Sequence, residues 1–132
     1  MKKPVGRRAM ASGALAIAIV VLAATAAIAW NANCSASGDA CVWRHHTYGV
    51  PLAAQASSDW TYTDDTFPNT QTTLNDQVSS IRNKFDVKDV IWHFDAGYDG
   101  TSWCVDHETA YPLLNAHDNE YSSHVVSAGS SC

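Results

Sequence analysis

Positive charge is scarce once the first eight residues are passed. Lys2, Lys3, Arg7 and Arg8 are half of the eight basic residues, and no charged residue of either sign follows them until Asp39. Within that gap residues 14–29 are apolar apart from Thr25 and end in Ala27-Ile28-Ala29. A basic start, an apolar middle and a small-x-small end describe a helical secretory signal peptide over residues 1–29, cleaved after Ala29, and hence a secreted chain. The competing reading is an uncleaved membrane anchor, because residues 10–30 approach the roughly 20 residues that span a bilayer. An Ala-rich run is only weakly hydrophobic, which favours cleavage. Asn33 stands where a lipidated Cys34 would need a small residue, so a lipoprotein is excluded.

Beyond residue 29 only four basic residues face thirteen acidic ones, a net charge of −9. Such a surface excludes nucleic acid as a partner, since that takes a basic patch. It suits cation binding, and equally a surface kept soluble by its charge. Catalytic signatures are missing as well: there is no Gly-x-Ser-x-Gly, no His-Glu-x-x-His and no Gly-rich phosphate loop, so no enzyme is expected. His107-Glu108 opens like a zinc-protease helix but reaches Tyr111 where the second histidine belongs. The adjacent His45 and His46 would face opposite ways on a strand and make poor co-ligands. No Cys-x-x-Cys pair is present, which sets a four-cysteine metal site aside. Four cysteines in a small exported domain favour two disulfides, with three connectivities open. The expected pairs are Cys34 with Cys41, closing an N-terminal loop over residues 30–40, and Cys104 with Cys132, tying the C-terminus to the body.

What the chain does have is short alternating runs. Residues 41–45 read as a strand with Val42 and Trp43 on opposite faces, turning at residues 47–49 into a weak return strand over 52–55. A polar stretch over residues 56–73 carries Trp60, Tyr62 and Phe67 at near-alternating positions, so part of it is expected to form a third strand. A helical turn from Leu74 leads into a strand over residues 79–83. The second half repeats this plan. Residues 87–94 alternate, with Val90, Trp92 and Phe94 on one face and Ile91 and His93 on the other; residues 95–100 form a hairpin and 101–106 the return. Residues 111–114 and 122–127 complete the set. Eight short strands in two groups of four predict an all-β sandwich of two Greek keys over residues 41–132.

One six-residue pattern occurs twice: Asn75-Asp76-Gln77-Val78-Ser79-Ser80 and Asp118-Asn119-Glu120-Tyr121-Ser122-Ser123. Each has two Asn/Asp positions, two free positions and two serines. Such a segment puts carboxylate, amide and hydroxyl oxygens on one tight turn, as a hard cation like Ca²⁺ requires when it collects six to eight oxygens. Asn, Asp and Ser are also ordinary turn and cap residues, so one copy would signify little. Two copies at this spacing imply a repeated structural unit.

The hexamer resembles the calcium motif of microbial βγ-crystallin domains, Asn/Asp-Asn/Asp-x-x-Ser/Thr-Ser, at every fixed position in both copies. Over roughly residues 40–127 the chain thus resembles secreted bacterial βγ-crystallin-like proteins, among them actinobacterial metalloprotease inhibitors and killer-toxin-like proteins. The hairpins carry the family's aromatic, gap of four, aromatic, x, glycine pattern unevenly. The second has His93, Tyr98 and Gly100, whereas the first has Trp43 and Tyr48 but Val50 in the glycine place, with Gly49 one step early. The resemblance implies that each Ca²⁺ takes ligands from both repeats. Ser79 and Ser122 would supply hydroxyls, and Gln77 and Glu120 would reach across to the opposite ion. Carbonyls near His45 and Asp95 would complete the shells, while Asp76 and Asp118 add charge and brace the turns. Asn75 and Asn119 would cap backbone amides, and Ser80 and Ser123 would point inward. Because affinity follows carboxylate count, the site served by Glu120 should bind more tightly.

Two other functions come with the same resemblance. An inhibitor of extracellular proteases needs a rigid exposed loop, and Cys104-Val105, stiffened by a disulfide, is the candidate. The competing reading makes Cys104 a strand-end staple and Val105 a core residue. A killer-toxin-like protein attacking membranes would need a cationic face that a chain at −9 lacks.

Overall fold

The computed structural model describes Trp30 and residues 32–35 and 37–132. The signal peptide expected over residues 1–29 lies outside these. Among the described residues no helix is long and apolar enough to cross a membrane.

Among the described residues, seven strands form two antiparallel sheets. In chain order they are β1 (Ala40–His45), β2 (Gly49–Gln55), β3 (Ser80–Asn83), β4 (Val90–Asp95), β5 (Asp99–Val105), β6 (Ala110–Tyr111) and β7 (Ser123–Val126). One sheet has the order β2-β1-β3-β6 and the other β5-β4-β7. Period-two alternation explains the core between them: Val42 and Ile81 from the first sheet meet Val90, Trp92 and Val105 from the second, all fully buried. On β4, Phe94 packs against that core while Ile91 and His93 stay half-exposed on the other face. The outer face of the first sheet carries a smaller cluster of Cys41, Trp43 and Ala54, covered by Cys34 and Leu52. The Cys34–Cys41 disulfide lies within that cluster, and Cys104–Cys132 fastens the C-terminus to β5.

The third strand expected in residues 56–73 is reduced to isolated pairings, Asp59 with His124 and Thr66 with Thr73. Short polar side chains there take up the backbone that a ladder would need. Asp59 Oδ1 accepts the Thr61 N–H, Thr61 Oγ1 that of Thr63, Thr70 Oγ1 that of Thr72, and Thr73 Oγ1 that of Asn75. This local bonding competes directly with sheet formation. Tyr62 and Phe67 are nevertheless fully buried beneath the segment, while Trp60 is exposed. The strand expected over residues 111–114 also shortens, ending at Tyr111 because Pro112 has no N–H to donate.

Trp30, in the N-terminal loop, sends its side chain into the core. It is 8% exposed, packs edge-on against Tyr62 and His124, and donates its indole N–H to Asp59 Oδ2 at 3.0 Å. Beside it His124 is fully buried. Its Nε2 lies 2.8 Å from the Ser57 carbonyl, which can only accept, so Nε2 carries the hydrogen and Nδ1 receives the Tyr62 hydroxyl at 2.7 Å.

This cluster holds two groups with opposite demands for protons. Burial lowers the His124 pKa from 6.5 to about 4. Burial, together with a hydrogen bond and charge from Asp59, raises Asp65 from 3.8 to about 7. Between the two His124 values the unfolded chain binds a proton that the folded chain refuses, so acidification through that window destabilises, by up to about 1.4 kcal/mol per pH unit for one group. Asp65 acts in reverse: its contribution is complete below 3.8 and is lost as pH rises through 7. The two slopes offset each other where they overlap. In urea unfolding from pH 4 to 7, His124→Gln is expected to leave a stability that declines as pH rises, and Asp65→Asn one that declines as pH falls. Profiles parallel to that of the unsubstituted chain would count against these assignments.

Candidate cation site

The two hexamers lie together and exchange backbone bonds. The Asp76 N–H donates to the Tyr121 carbonyl at 3.1 Å, and the Asn119 N–H donates to the Val78 carbonyl at 3.0 Å. The second position of each hexamer is thereby bonded to the fourth position of the other. Turning that N–H toward the opposite repeat takes a left-handed backbone, and Asp76 and Asn119 adopt it at φ 53° and 59°. Asn and Asp tolerate this conformation better than other side-chain-bearing residues. The fourth positions, Val78 and Tyr121, are fully buried, and such burial contributes about 1.5–3 kcal/mol for a large apolar side chain.

The serines repeat the same two-fold relation. Ser79 Oγ lies 3.4 Å from Asn119 Oδ1, and Ser122 Oγ lies 3.3 Å from Asp76 Oδ1. The Ser79 N–H donates to the Trp43 carbonyl and that of Ser122 to the His93 carbonyl. Ser80 Oγ donates to the His45 carbonyl at 2.9 Å and accepts the Tyr48 N–H. Ser123 does the same for the Asp95 carbonyl at 2.7 Å and the Tyr98 N–H. Both of these serines are fully buried, and each ties a hexamer to the hairpin of its own repeat.

The hairpins match despite their different glycines. His45 pairs with Gly49 and Asp95 with Asp99, each after a register shift. Trp43 covers Tyr48 with ring centroids 4.8 Å apart, and His93 covers Tyr98 at 6.0 Å. Gly100 is needed where it stands, because its φ is 73° and an added Cβ would lie 2.3 Å from Asp95 Oδ2. Thr47 and Tyr48 of the first hairpin are left-handed as Gly97 and Tyr98 are in the second, but Val50, in the glycine place, runs on as strand.

On one side the exchange forms a depression of about 310 Å³ lined by Arg44, His45, His46, Gln77, Ser79, Asp118 and Asn119. Gln77 lines this depression together with Ser79 of its own hexamer, and its amide donates to the Asp76 carbonyl at 2.8 Å. Asp118 Oδ2 is 3.4 Å from His46 Nε2. Its other oxygen, Oδ1, is buried and has no hydrogen-bond partner among the described residues. In the second hexamer Glu120 Oε2 lies 3.6 Å from His117 Nδ1. Asn75 donates its side-chain amide to Asp76 Oδ2 at 2.8 Å, bracing the carboxylate next to it. Arg44 and His46 add to the residues expected at the site, and the sequence signal for His46 is its place three residues after Trp43 in the hairpin.

Cys104-Val105 is no exposed loop. Both residues lie within β5, Val105 is fully buried and pairs with Val90, and Cys104 pairs with Ile91. A protease cleft has no free segment to grip there, because alternation along β5 turns Val105 into the core.

Two antiparallel sheets that exchange segments between matching halves make up the βγ-crystallin fold. Solved structures of that fold superpose on most of this chain. A βγ-crystallin from Ciona intestinalis matches with a TM-score of 0.56 and 22% identity, covering 68% of this chain and all of its own. A βγ-crystallin from an archaeon gives 0.54 and 20%, covering 70% of this chain and all of its own. The N-terminal domain of Protein S gives 0.55 and 16%, covering 70% and 99%. No protein-family model and no curated protein matches the sequence.

The buried serines yield a direct test of the site's framework. Ser80→Ala or Ser123→Ala leaves a carbonyl and an N–H without partners inside the fold and is expected to cost about 1–3 kcal/mol each. Exposed Ser102→Ala should change stability by no more than about 0.5 kcal/mol. Chemical denaturation of the three variants checks the difference.

Proposed function

We propose that this chain is an exported calcium-binding module of βγ-crystallin type, in which Ca²⁺ stabilises the fold through the paired hexamers. The observation that carries this reading is the buried, unpartnered Asp118 Oδ1 at a depression lined by Ser79, Gln77 and Asn119. An ionised carboxylate oxygen held without a donor is costly, and a hard cation relieves that cost. The donors are oxygens of the kind Ca²⁺ prefers: Ser79, Gln77, Asp118 and Asn119 on one side, Ser122 and Asp76 on the other, with Glu120 in the second hexamer. Ca²⁺ would supply no chemistry beyond holding these groups of both halves together.

Charge separates the two sides. Arg44 and His46 flank Asp118 at the Ser79 side, whereas Ser122 meets the Asp76 carboxylate and Glu120 stands in the same hexamer as Ser122. With Glu120 counted beside Asp76, the Ser122 side has two carboxylates against Asp118 alone at the Ser79 side, and it is therefore assigned the tighter affinity. Export is supported by the residue 1–29 signal pattern and by two disulfides, which persist in oxidising compartments. Protease inhibition loses its candidate loop to β5, and membrane attack remains at odds with the charge.

Ca²⁺ is expected to raise the melting temperature, stabilising by about 2.7 kcal/mol at a hundredfold excess over Kd. Tryptophan fluorescence should follow the titration, because the Trp43 carbonyl bonds the Ser79 N–H. Ser79→Arg combined with Ser122→Arg should abolish the shift. A shift that survives the double substitution would refute the assignment.

A further inference from the structure

The C-terminal corner holds a set of donors that the cation site does not use. Asp89 is fully buried, and both of its oxygens are engaged. The backbone N–H of His107 reaches Oδ1 at 3.0 Å, and the ring Nδ1 of His107 lies 3.3 Å from the same oxygen. The backbone N–H groups of Ser131 and Cys132 donate to Oδ2, that of Cys132 at 2.8 Å. These donors, Cys132 and Ser131 foremost, hold the carboxyl well below the usual carboxylate range. Asp89 therefore grips the C-terminal tail through its backbone, independently of the cystine beside it. The ligand-capable atoms of Asp89, Cys104 and Cys132 lie within 4.8 Å of one another, and His107, outside that group, adjoins it through Asp89 Oδ1.

We propose that reduction of the Cys104–Cys132 disulfide turns this corner into a zinc site, with the two thiolates, Asp89 Oδ1 and His107 Nδ1 as ligands. A dithiol reductant supplies the two electrons. The cystine S–S bond breaks, two cysteine thiols form, and the reductant closes its own disulfide. Zn²⁺ then displaces one proton from each thiol and takes neutral His107 at Nδ1 in place of the hydrogen bond to Asp89. Two sulfurs, a nitrogen and an oxygen are a set that Zn²⁺ accepts tetrahedrally. With Zn–N and Zn–O bonds of about 2.0–2.1 Å, the nitrogen and oxygen ligands of a tetrahedron sit about 3.3 Å apart. Asp89 Oδ1 and His107 Nδ1 already stand at that separation, 3.3 Å. Because Asp89 holds the Ser131 and Cys132 amides, reduction does not release the tail, and both thiols stay beside the carboxylate. The same amides on Oδ2 keep that carboxylate oriented once the metal is bound. Cys132 and His107 are exposed, so the ion enters from solvent.

Cobalt(II), which occupies zinc sites and absorbs strongly when thiolate-bound, is the probe. The purified protein, reduced by a phosphine under argon, is expected to develop a thiolate-to-cobalt band at one equivalent of Co²⁺ and to lose it to one equivalent of Zn²⁺. The oxidised protein should develop none. His107→Ala should weaken Co²⁺ binding about tenfold or more, and Cys34→Ala with Cys41→Ala should leave the band intact, circular dichroism confirming that both variants fold. No band in the reduced protein, a band that survives Cys104→Ser, or His107→Ala binding Co²⁺ as tightly as the unsubstituted chain overturns the proposal. Calcium is absent from every sample, so the outcome is independent of the calcium reading.

Discussion

The molecule closes on a reciprocal exchange between its halves, in which the second residue of each hexamer donates its N–H to the fourth residue of the other. Much of the site follows from that constraint. The second residue must be left-handed to aim its N–H across, which favours Asn or Asp. The fourth residue, whose carbonyl receives the bond, sends its side chain inward as Val78 or Tyr121. The fifth residue then faces the acid or amide of the partner repeat, and the sixth reaches back to its own hairpin. A pattern that reads along the chain as a string of polar residues is thus divided in space among turn geometry, core and surface.

The two halves share a backbone but not an electrostatic environment. Asp118 is neighboured by His46 and lies in a depression that Arg44 also lines, while Asp76 is neighboured by an amide, Asn75. Basic neighbours on Asp118 would weaken the pull that its carboxylate exerts on a cation. The exchanged N–H bonds and the buried serines are retained in both copies.

Much of this was legible in the sequence, and the gaps have physical reasons. Alternation revealed β1 and β4 and assigned the buried face of β4 correctly, because that strand has one face on the core, while turn residues located β5 as the return of the second hairpin. The hexamers announced themselves by residue type and repetition. Residues 56–73 misled because Thr, Ser and Asp serve equally in a strand and in self-bonded turns, and here the local bonds prevail. The burial of Trp30 within the N-terminal loop was not legible, because a single aromatic beside an apolar run has no periodicity. Side-chain reach also resists sequence reasoning: nothing in the hexamer's residue types announces that the Gln77 amide bonds the Asp76 carbonyl.

The pairing of Asp59 with His124 lays a first-half segment along β7, just as β6 from the second half completes the sheet built on β1 and β3. Each repeat lends a piece of backbone to its neighbour's sheet. Neither repeat, cut out alone, would keep a finished sheet or a covered apolar face. The two must melt as one cooperative unit, and a shortened chain carrying a single repeat would find its missing edge only on another copy of itself.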